Sequence, residues 1–591
     1  MVDKDFGTGV VKITPAHDFN DFEVAERHNL PSLKVIGLDG KLTGVAGQYA
    51  GMTVLDARAA VVADLKTKGL LEKVDDDYQN RIAKCYKCGT VIEPLLLEQW
   101  FLKVGPLADQ AKQAIEQGDI NFTPKSKARL ITQYLDNLKD WNLSRQIPWG
   151  IPIPAFQNVN DESDWVFDER VHLPTIEIDG KTYKREEDTF DTWFSSGQWP
   201  FVVTDYLDNG GLADFYPTDM METGHDLIDR WVARMIMLGL YATDKIPFKN
   251  VYLHGMVLDE KGQKMSKSKG NVINPMDVIA EYGSDALRLG VVANRSAGQN
   301  QAFARDKVVA GRNFCNKLWN MARFIEPHLD SQTVDKPTPQ TVADQWVIAR
   351  LTEARRAIDE HLGNYRFAEA ADTVYHVIWN EVADWYLEAA KTEPDPAMLA
   401  WVLETCLKLA HPFAPFVTET IWTTLERSKT PLISSPWPEA IDYHELEAAT
   451  FDGIRDLVAE IRYVASDLPG GKPTLLFEKD TLIETNQALI SQLARLKEIK
   501  QVEQPTGLRL AAANREAWLD VDETTLYEHQ SKLETRLAEV RAQTDKLNQR
   551  LANESYVKQA PKNIVEASRR QLAEQQELVE RLSKELDVLK A

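Results

Sequence analysis

Residues 259–271 read Asp-Glu-Lys-Gly-Gln-Lys-Met-Ser-Lys-Ser-Lys-Gly-Asn and lie between an expected strand and an expected helix. The apolar run at 251–258 is typical of a buried strand, and Pro275 stands where a helix can begin. Glycine and serine in such a loop let backbone amides approach the oxygens of a polyphosphate. Lys264, Lys267 and Lys269 add mobile positive charge, although a solvated basic loop would have the same composition. The stretch is therefore a candidate phosphate-binding loop.

The composition sets only broad limits on this chain. Its 591 residues are too many for one hydrophobic core and suggest roughly three to five domains. No long apolar run predicts a membrane span, and no secretory signal is visible at the start. Four cysteines give no disulfide framework, which favours a reducing, cytoplasmic location. A net charge of −22 argues against a nucleic-acid partner, but local basic faces can still bind RNA.

A second motif precedes the lysine-bearing loop. Residues 221–227 read Met-Glu-Thr-Gly-His-Asp-Leu and are followed by an apolar helix pattern at 231–238. A Gly-x-Asp at a strand-to-helix junction lets the backbone approach a nucleotide while the carboxylate accepts ribose hydroxyls. Alone the motif is weak, because aspartate commonly caps helices. Close upstream of a candidate phosphate loop, it indicates one nucleotide site built from both motifs.

With its Gly-Asn tail and its strand-before, helix-after setting, the 264–268 string resembles the Lys-Met-Ser-Lys-Ser signature of class I aminoacyl-tRNA synthetases. The resemblance implies ATP and Mg²⁺ as cofactors, with Mg²⁺ carried on phosphate oxygens. It implies that Lys264 and Lys267 are catalytic and neutralise the charge of the phosphates that leave ATP as pyrophosphate. For His254 the alternative to ATP binding is a purely structural role, as a histidine packed at the end of a core strand. The ATP-binding residues implied by the resemblance are Lys267, Gly224, Asp226, His254 and Gly255.

Family-like strings also fill the region before the second motif. Glu98-Gln99-Trp100-Phe101 and the run Asp-Thr-Phe-Asp-Thr-Trp-Phe-Ser-Ser at 188–196 are typical of loops around a pocket, although single tryptophans often fill cores. The resemblance implies that Trp193 walls an amino-acid pocket and that Leu227 lies near the amino-acid side chain. Asp229-Arg230 stands where relatives usually carry aromatic residues, which is a departure from the family pattern.

The start of the chain resembles the editing domain of the valyl, isoleucyl and leucyl enzymes. Residues 6–15 predict a strand entering a loop, and Asp18 is placed to cap a helix through 20–26. The string Thr-Pro-Ala-His-Asp-Phe-Asn-Asp-Phe at 14–22 carries the resemblance. It implies that Asp21 receives the substrate ammonium, with Lys12, Thr14 and Asp18 lining the pocket. From the residues alone, Asp18 and Asp21 would be capping and surface carboxylates.

Cys85 and Cys88 form a Cys-x-x-Cys pair followed by Gly89. A tetrahedral zinc site needs four ligands, and no second pair follows downstream. The two cysteines are half of a zinc site at most, and a vestigial knuckle is the favoured interpretation. Bound zinc is not expected.

From 311 onward the chain predicts about 150 helical residues, with apolar residues at three- and four-residue spacing. The strings Trp379-Asn380-Glu381 and His411-Pro412-Phe413 resemble the helical anticodon-binding bundle of the same enzymes, and most of its aromatics are expected in the core. Residues 469–473 predict a linker, and a short α/β segment follows to about 520.

The last segment carries heptads on two arms, from Leu526 to Leu551 and from Ser568 to Leu589, separated by a turn containing Pro561. Arms joined by a short loop should pair antiparallel. The spacing alone favours neither a dimerising coiled coil nor an RNA-reaching arm. The resemblance favours the arm, because valyl enzymes end in such a hairpin.

The other class I signature, His-x-Gly-His, is absent from the sequence. We therefore expect the later part of such an enzyme, with its first half either lost or supplied as a separate polypeptide. The predicted fold is α/β plus all-α: the C-terminal half of a class I Rossmann catalytic domain, a residual editing domain, an anticodon-binding bundle and an antiparallel coiled coil. The predicted boundaries are 1–75 for editing, 76–295 for catalysis with the cysteine knuckle, 296–465 for the bundle, 466–524 for linker and α/β segment, and 525–591 for the arm.

The predicted function is ATP-dependent activation of valine and its transfer to tRNA(Val), with hydrolysis of mischarged threonyl-tRNA. Expected partners are tRNA(Val) and valine, with no membrane and a monomeric state. Two alternatives stay open. One is an isoleucyl enzyme, against which the terminal hairpin and the lack of a terminal zinc element argue. The other is a non-catalytic tRNA-binding protein, which would not need an intact lysine loop.

Overall fold

The structure is a computed structural model that describes residues 8–75, 77–79, 81–85, 88–207, 212–293, 297–329, 336–426, 429–468, 471–511 and 515–590. The chain forms two compact units. One contains residues 1–112, 134–209 and 234–244, and the other contains 113–133, 210–233 and 245–591. In the parts of the chain that are described, no helix combines the length and the apolar character that crossing a bilayer requires.

The first unit begins with two helices, Phe19–His28 and Val54–Thr67. Asp18 caps the first helix as predicted, because its carboxylate accepts the N–H groups of Asn20 and Asp21. The strand predicted at 6–15 is wrong where it can be checked, since residues 8–15 contain none; Phe6 and Gly7 lie outside the described residues. Val10 and Val11 are exposed, so no packed face supports an extended pairing there.

The rest of this unit contains small antiparallel sheets. A four-stranded sheet packs around Phe156, Ile176 and Tyr183. Its strands, in spatial order, are Asp161–Phe167, Ala155–Asn158, Lys181–Arg185 and Thr175–Ile178. The unit also contains the 3₁₀ helix Gly44–Tyr49, two pairs of two-residue strands, Phe101–Leu102 with Trp141–Asn142 and Ser144–Arg145 with Thr189–Phe190, and the short helices Thr192–Ser196 and Trp199–Val202.

The second unit contains a three-stranded parallel sheet with the buried strand Phe248–His254 at its centre, between Thr218–Gly224 and Asn121–Thr123. The predicted strand at 251–258 is confirmed up to His254. Val257–Leu258 then forms a separate short strand that pairs with Gln301–Ala302. The predicted helix begins at Pro275 and runs to Tyr282, capped by Asn274. A further helix, Ser284–Val292, follows, and three helices have ends in different units: Gly105–Glu116, Ser126–Asp136 and Ala233–Thr243.

A helical region follows and confirms the predicted combination of α/β and all-α parts. Its core includes the fully buried side chains of Phe314, Trp346, Tyr386 and Phe451, while Phe416 is exposed. Residues 377–386 form a π-helical stretch, which the sequence pattern did not indicate. The α-helices of this region are Arg305–Ile325, Val342–Gly363, Phe367–His376, Leu387–Ala390, Pro396–Ala410, Pro415–Thr424 and Glu445–Asp467.

A four-stranded sheet with two helices follows the helical region. The strands, in spatial order, are Glu498–Gln501, Thr474–Phe477, Ala517–Leu519 and Leu508–Arg509, and the helices are Thr481–Thr485 and Gln487–Ala494. Of the predicted linker, Pro469 and Gly470 lie outside the described residues, and 471–473 form no helix or strand.

The arm consists of two long helices, Glu523–Ala552 and Lys562–Lys590. Arg541 bonds Ser583 and Tyr556 bonds Ser568, so the pairing runs in opposite directions, as predicted. Leu533, Leu537, Val540, Leu582 and Leu586 fill the seam. The predicted plain turn is wrong in one respect: it contains a short helix, Glu554–Gln559, which Asn553 caps.

Candidate active site

The lysine-bearing stretch 259–271, called the signature loop below, is folded around the carboxylate of Asp259. One carboxylate oxygen accepts the N–H groups of Lys261 at 3.0 Å and Gln263 at 2.7 Å, and the other accepts the Asn271 side-chain amide at 2.8 Å. These donors stabilise the charged form and hold the pKa of Asp259 below its usual range, with the Gln263 amide as the largest cause. Asp259 is buried, although the loop around it is mostly exposed.

Two parallel strand ends lie beside this loop within the same unit. Gly224 and His254 are register partners, and each is the last residue of its strand. A Cβ on Gly224 would lie 2.7 Å from Asp226 Oδ1, so glycine leaves room for the Asp226 turn. The His254 ring bonds the Glu222 carboxylate, which fixes the ring at the strand end.

Gly255 and Asn300 complete the strand ends. A Cβ on Gly255 would lie 1.6 Å from the Gln299 carbonyl oxygen, so only glycine allows that backbone approach. Asn300 Oδ1 accepts the Met256 N–H at 2.8 Å and lies 2.9 Å from His225 Nε2. Asn300 therefore links the turn after the strand Thr218–Gly224 to the turn after the neighbouring strand Phe248–His254. Sequence reasoning missed Asn300, which belongs to no recognisable motif, and gave no role to Glu222, although Glu222 lies within the motif at 221–227.

The signature loop reaches the Gly-x-Asp turn through Lys264, whose Nζ lies 4.0 Å from Asp226 Oδ2. Five predicted residues are thus brought together, and Lys267 occupies a 3₁₀ turn of the same loop, Lys267–Lys269, with its side chain exposed. Leu227 follows Asp226 directly and is half-buried. The gathered residues are Gly224, Asp226, His254, Gly255 and Lys264.

Trp193 belongs to the first unit, in the helix Thr192–Ser196. Its backbone N–H donates to the buried carboxylate of Asp191 at 3.2 Å. The same carboxylate accepts Trp141 Nε1 and Arg145 Nη2, each at 2.9 Å. Asp191 therefore fixes the start of the Trp193 helix through three donors, and the half-buried indole extends from that fixed turn.

The predicted editing residues are only partly brought together. Asp21 Oδ2 accepts the Thr14 N–H at 2.6 Å and the Thr14 hydroxyl at 3.0 Å. The Asp18 carboxylate instead caps the first helix, and Lys12 is exposed. Sequence reasoning missed His17, whose Nε2 accepts the N–H groups of Val35 and Ile36. The only sequence signal for His17 was its position between Thr14-Pro15 and the helix-capping Asp18.

Beside the cysteine pair, the Gly89 N–H donates to the Cys85 carbonyl oxygen. Cys88 Sγ lies 3.2 Å from Thr90 Oγ1, and this hydrogen bond is the largest cause that lowers the pKa of Cys88 to about 7. Tyr86 and Lys87, between the cysteines, lie outside the described residues. Across the described ranges, no three His, Cys, Asp or Glu residues form a metal-ligating group.

Family models match most of the chain. The model for tRNA synthetases class I (I, L, M and V) matches residues 16–304, the anticodon-binding domain of tRNA ligase matches 344–511, and the valyl tRNA synthetase tRNA binding arm matches 526–590. Parallel strand ends, a lysine-bearing signature loop and these matches together define a class I aminoacyl-tRNA synthetase, an aminoacyl-tRNA ligase. Enzymes of this class use ATP and Mg²⁺, and the matched domains indicate tRNA and an amino acid as substrates.

The particular family follows from individual relatives. Valine–tRNA ligase of Geobacter sulfurreducens is 38% identical over 97% of this chain and 68% of its own length. That of Streptomyces avermitilis is 37% identical over 99% of the chain and 68% of its own length. The chain belongs to the valine–tRNA ligase family and spans about two thirds of these relatives' length. The predicted preference for a valyl over an isoleucyl enzyme is confirmed at this level.

Among solved structures, methionyl-tRNA synthetase of Mycobacterium tuberculosis in complex with methionyl-adenylate matches with a TM-score of 0.46 at 16% identity. The match covers 61% of this chain and 71% of that one. At this similarity it adds nothing to the family assignment.

Proposed function

We propose that the chain activates valine with ATP at the parallel strand ends and transfers it to tRNA(Val). The valine carboxylate attacks the α-phosphate of ATP, which forms valyl-adenylate and releases pyrophosphate. The 2′- or 3′-hydroxyl of the tRNA terminal ribose then attacks the adenylate carbonyl and releases AMP. The observation that carries this proposal is the 4.0 Å approach of Lys264 to Asp226, because it joins a phosphate-binding loop to a ribose-binding turn.

Each residue has a separate role in the first step. Gly224 and Gly255 let the backbone approach the nucleoside, His254 lies beside it at the strand end, and the Asp226 carboxylate accepts ribose hydroxyls. Lys264 and Lys267 stabilise the negative charge that develops on the departing pyrophosphate. Mg²⁺ would be held mainly by phosphate oxygens and would neutralise part of the same charge. No covalent enzyme intermediate is needed, so catalysis is positioning and charge stabilisation.

Substrate selection would involve other parts of the chain. A flat indole at Trp193 suits a short branched side chain such as that of valine. We assign anticodon binding to the helical region 296–465 and tRNA bracing to the arm 525–591. We also place the protein, as a monomer, in the cytoplasm, since its few cysteines are all free thiols that suit a reducing compartment.

We further propose that residues 1–75 contribute to hydrolysis of threonyl-tRNA. A pocket for a small apolar side chain cannot strongly reject an isostere that adds a hydroxyl, so a second hydrolytic site is needed. The supporting observation is the pair Thr14 and Asp21, in which only one carboxylate oxygen of Asp21 bonds Thr14. The other oxygen can receive the ammonium of the aminoacyl group. We expect Asp21→Ala to raise net threonyl-tRNA formation while leaving valine activation unchanged.

The test is ATP–pyrophosphate exchange with valine, isoleucine or threonine, by the purified chain supplemented with a polypeptide that supplies the expected first half and its His-x-Gly-His signature. We expect exchange that depends on valine and is weaker by roughly 100-fold or more with isoleucine, because one extra methylene must enter a short pocket. Exchange that prefers isoleucine would overturn the substrate assignment. Retention of tRNA(Val) on a filter without any exchange would instead support the non-catalytic RNA-binding alternative.

A further inference from the structure

Two side chains close the signature loop from opposite ends. Asp259 is its first residue and Asn271 its last, and Asn271 Nδ2 donates to Asp259 Oδ2 at 2.8 Å. Neither residue carries the positive charge for which this loop is recognised. Their contact is nonetheless the only side-chain link between the two ends of the loop among the described residues.

Asn271 also holds the segment that carries the lysines. Its Oδ1 accepts the Ser266 N–H at 2.9 Å, and its Nδ2 lies 3.3 Å from the Lys264 carbonyl oxygen. The backbone at Lys264 and at the residue before Lys267 is therefore fixed by one amide. Lys264 extends from this fixed backbone to within 4.0 Å of Asp226.

The other contacts of the loop are local or lead out of it: the Asp259 N–H donates to the Gln263 carbonyl oxygen, the Gly270 N–H donates to the Lys267 carbonyl oxygen, and Glu260 bonds Arg305. Gly262 and Gly270 have φ values of 75° and 66°, in the region that glycine adopts easily, and a Cβ on either would meet open space. The three lysine side chains are exposed, so burial does not hold them. The buried Asp259 carboxylate and the Asn271 amide, which reaches from Asp259 to Ser266, add the side-chain contacts that join the first, middle and last parts of the loop.

We propose that Asp259 and Asn271 are positioning residues that hold the signature loop with Lys264 beside the Asp226 turn before ATP arrives. This inference rests on the proposed function and names how its loop is preorganised. Charges that are already in place cost no reorganisation in the transition state, so losing the pair should slow adenylate formation more than it weakens ATP binding. A displacement of about 1 Å at such a site can cost roughly 100-fold in rate.

The first measurement does not depend on activity. Hydrogen–deuterium exchange of the full chain should show faster exchange of the Gln263 and Ser266 amides in Asn271→Ala and Asp259→Ala, by roughly tenfold or more. The matched control is Asn274→Ala, which removes an asparagine that caps the next helix and bonds Asp277 rather than the loop. The control should leave both amides as slow as in the original chain. Unchanged amides in Asn271→Ala would overturn the proposal.

The second measurement separates positioning from simple destabilisation. In valine-dependent pyrophosphate exchange, Asn271→Ala should lower kcat roughly 10- to 100-fold while the KM for ATP changes less than about threefold. The single variants Asp259→Asn and Asn271→Asp should each have a lower kcat than the unaltered chain. The double variant Asp259→Asn/Asn271→Asp restores one hydrogen bond between these positions with donor and acceptor exchanged, because the amide at 259 can donate to the carboxylate at 271. We expect it to recover most of the kcat that each single variant loses.

The outcomes distinguish this inference from the proposed function. If the unaltered chain, supplemented with a polypeptide that carries the expected first half, shows no valine-dependent exchange, the proposed function fails. If the unaltered chain is active and Asn271→Ala keeps full kcat despite a loosened loop, the positioning role fails and the proposed function stands. Failure of the double variant to recover above the single variants, with amide protection restored, would also overturn it.

Discussion

Lys264 Nζ lies 4.0 Å from Asp226 Oδ2, which joins two loops that are well separated in the sequence. The side chains are 68% and 44% exposed, so the pair is screened by water and contributes little to the free energy of folding. Both groups therefore stay available to a ligand. The ribose of a nucleotide can bond the Asp226 carboxylate, and its phosphates can bond the Lys264 ammonium, without breaking a strong contact.

Lys267→Ala should lower the kcat of valine-dependent pyrophosphate exchange by about 100- to 1,000-fold, since one donor to developing phosphate charge is lost. Retention of tRNA(Val) should be unchanged, because the matched tRNA binding arm lies elsewhere in the sequence. Lys261→Ala is the control, as it removes the same charge from an exposed position of the same loop. Equal rates for the two variants would contradict the role assigned to Lys267.

Gly255→Ala should destabilise the strand-end region by about 1–3 kcal/mol, because the new Cβ would overlap the Gln299 carbonyl oxygen. Moving residues 299–300 away would also break the Asn300 bond to the Met256 N–H. Hydrogen exchange of the Phe248–His254 amides measures the loss. Gly363→Ala, where a Cβ meets open space, should show no loss, and protection that is equal in both variants would refute the packing argument.

Local signals predicted the elements around the site. Pro275 marked a helix start, because proline fits the first helical position. The apolar run ending at His254 marked the central strand. The heptads from Leu526, together with the short loop that joins the two arms, likewise predicted an antiparallel helix pair with a leucine-filled seam.

Contacts between distant residues could not be predicted in the same way. Asn300 bonds His225 and Met256 only because the chain returns to the strand ends after a long excursion. The strand predicted at 6–15 from its β-rich composition fails for the opposite reason: Val10 and Val11 are exposed and pack against nothing that would hold a strand. A residue whose contact partners are distant in the sequence thus belongs to no motif. A residue whose role depends on its near neighbours in the sequence does.

Cys88 should react with iodoacetamide at a rate that rises through a midpoint near pH 7, because the thiolate is the nucleophile and its pKa is about 7. Burial raises the pKa of Cys315 and of Cys406 to about 12, so these thiols should stay unreactive at neutral pH. Mass spectrometry of the alkylated peptides separates the sites. Thr90→Val removes the hydroxyl beside Cys88 and should move its midpoint upward; an unmoved midpoint would contradict the hydrogen-bond explanation.

Leu582→Ala should destabilise the arm locally by about 2–5 kcal/mol, since Leu582 is fully buried in the seam with Leu533 and Leu537. Hydrogen exchange of the Lys562–Lys590 amides measures this loss. Affinity for tRNA(Val) should fall, while valine-dependent pyrophosphate exchange, which needs no tRNA, should be unchanged. Gln576→Ala, an exposed position on the same helix, is the control and should alter neither measurement. A tRNA affinity that survives a melted arm would show that tRNA is held elsewhere, and the arm would lose its assigned role.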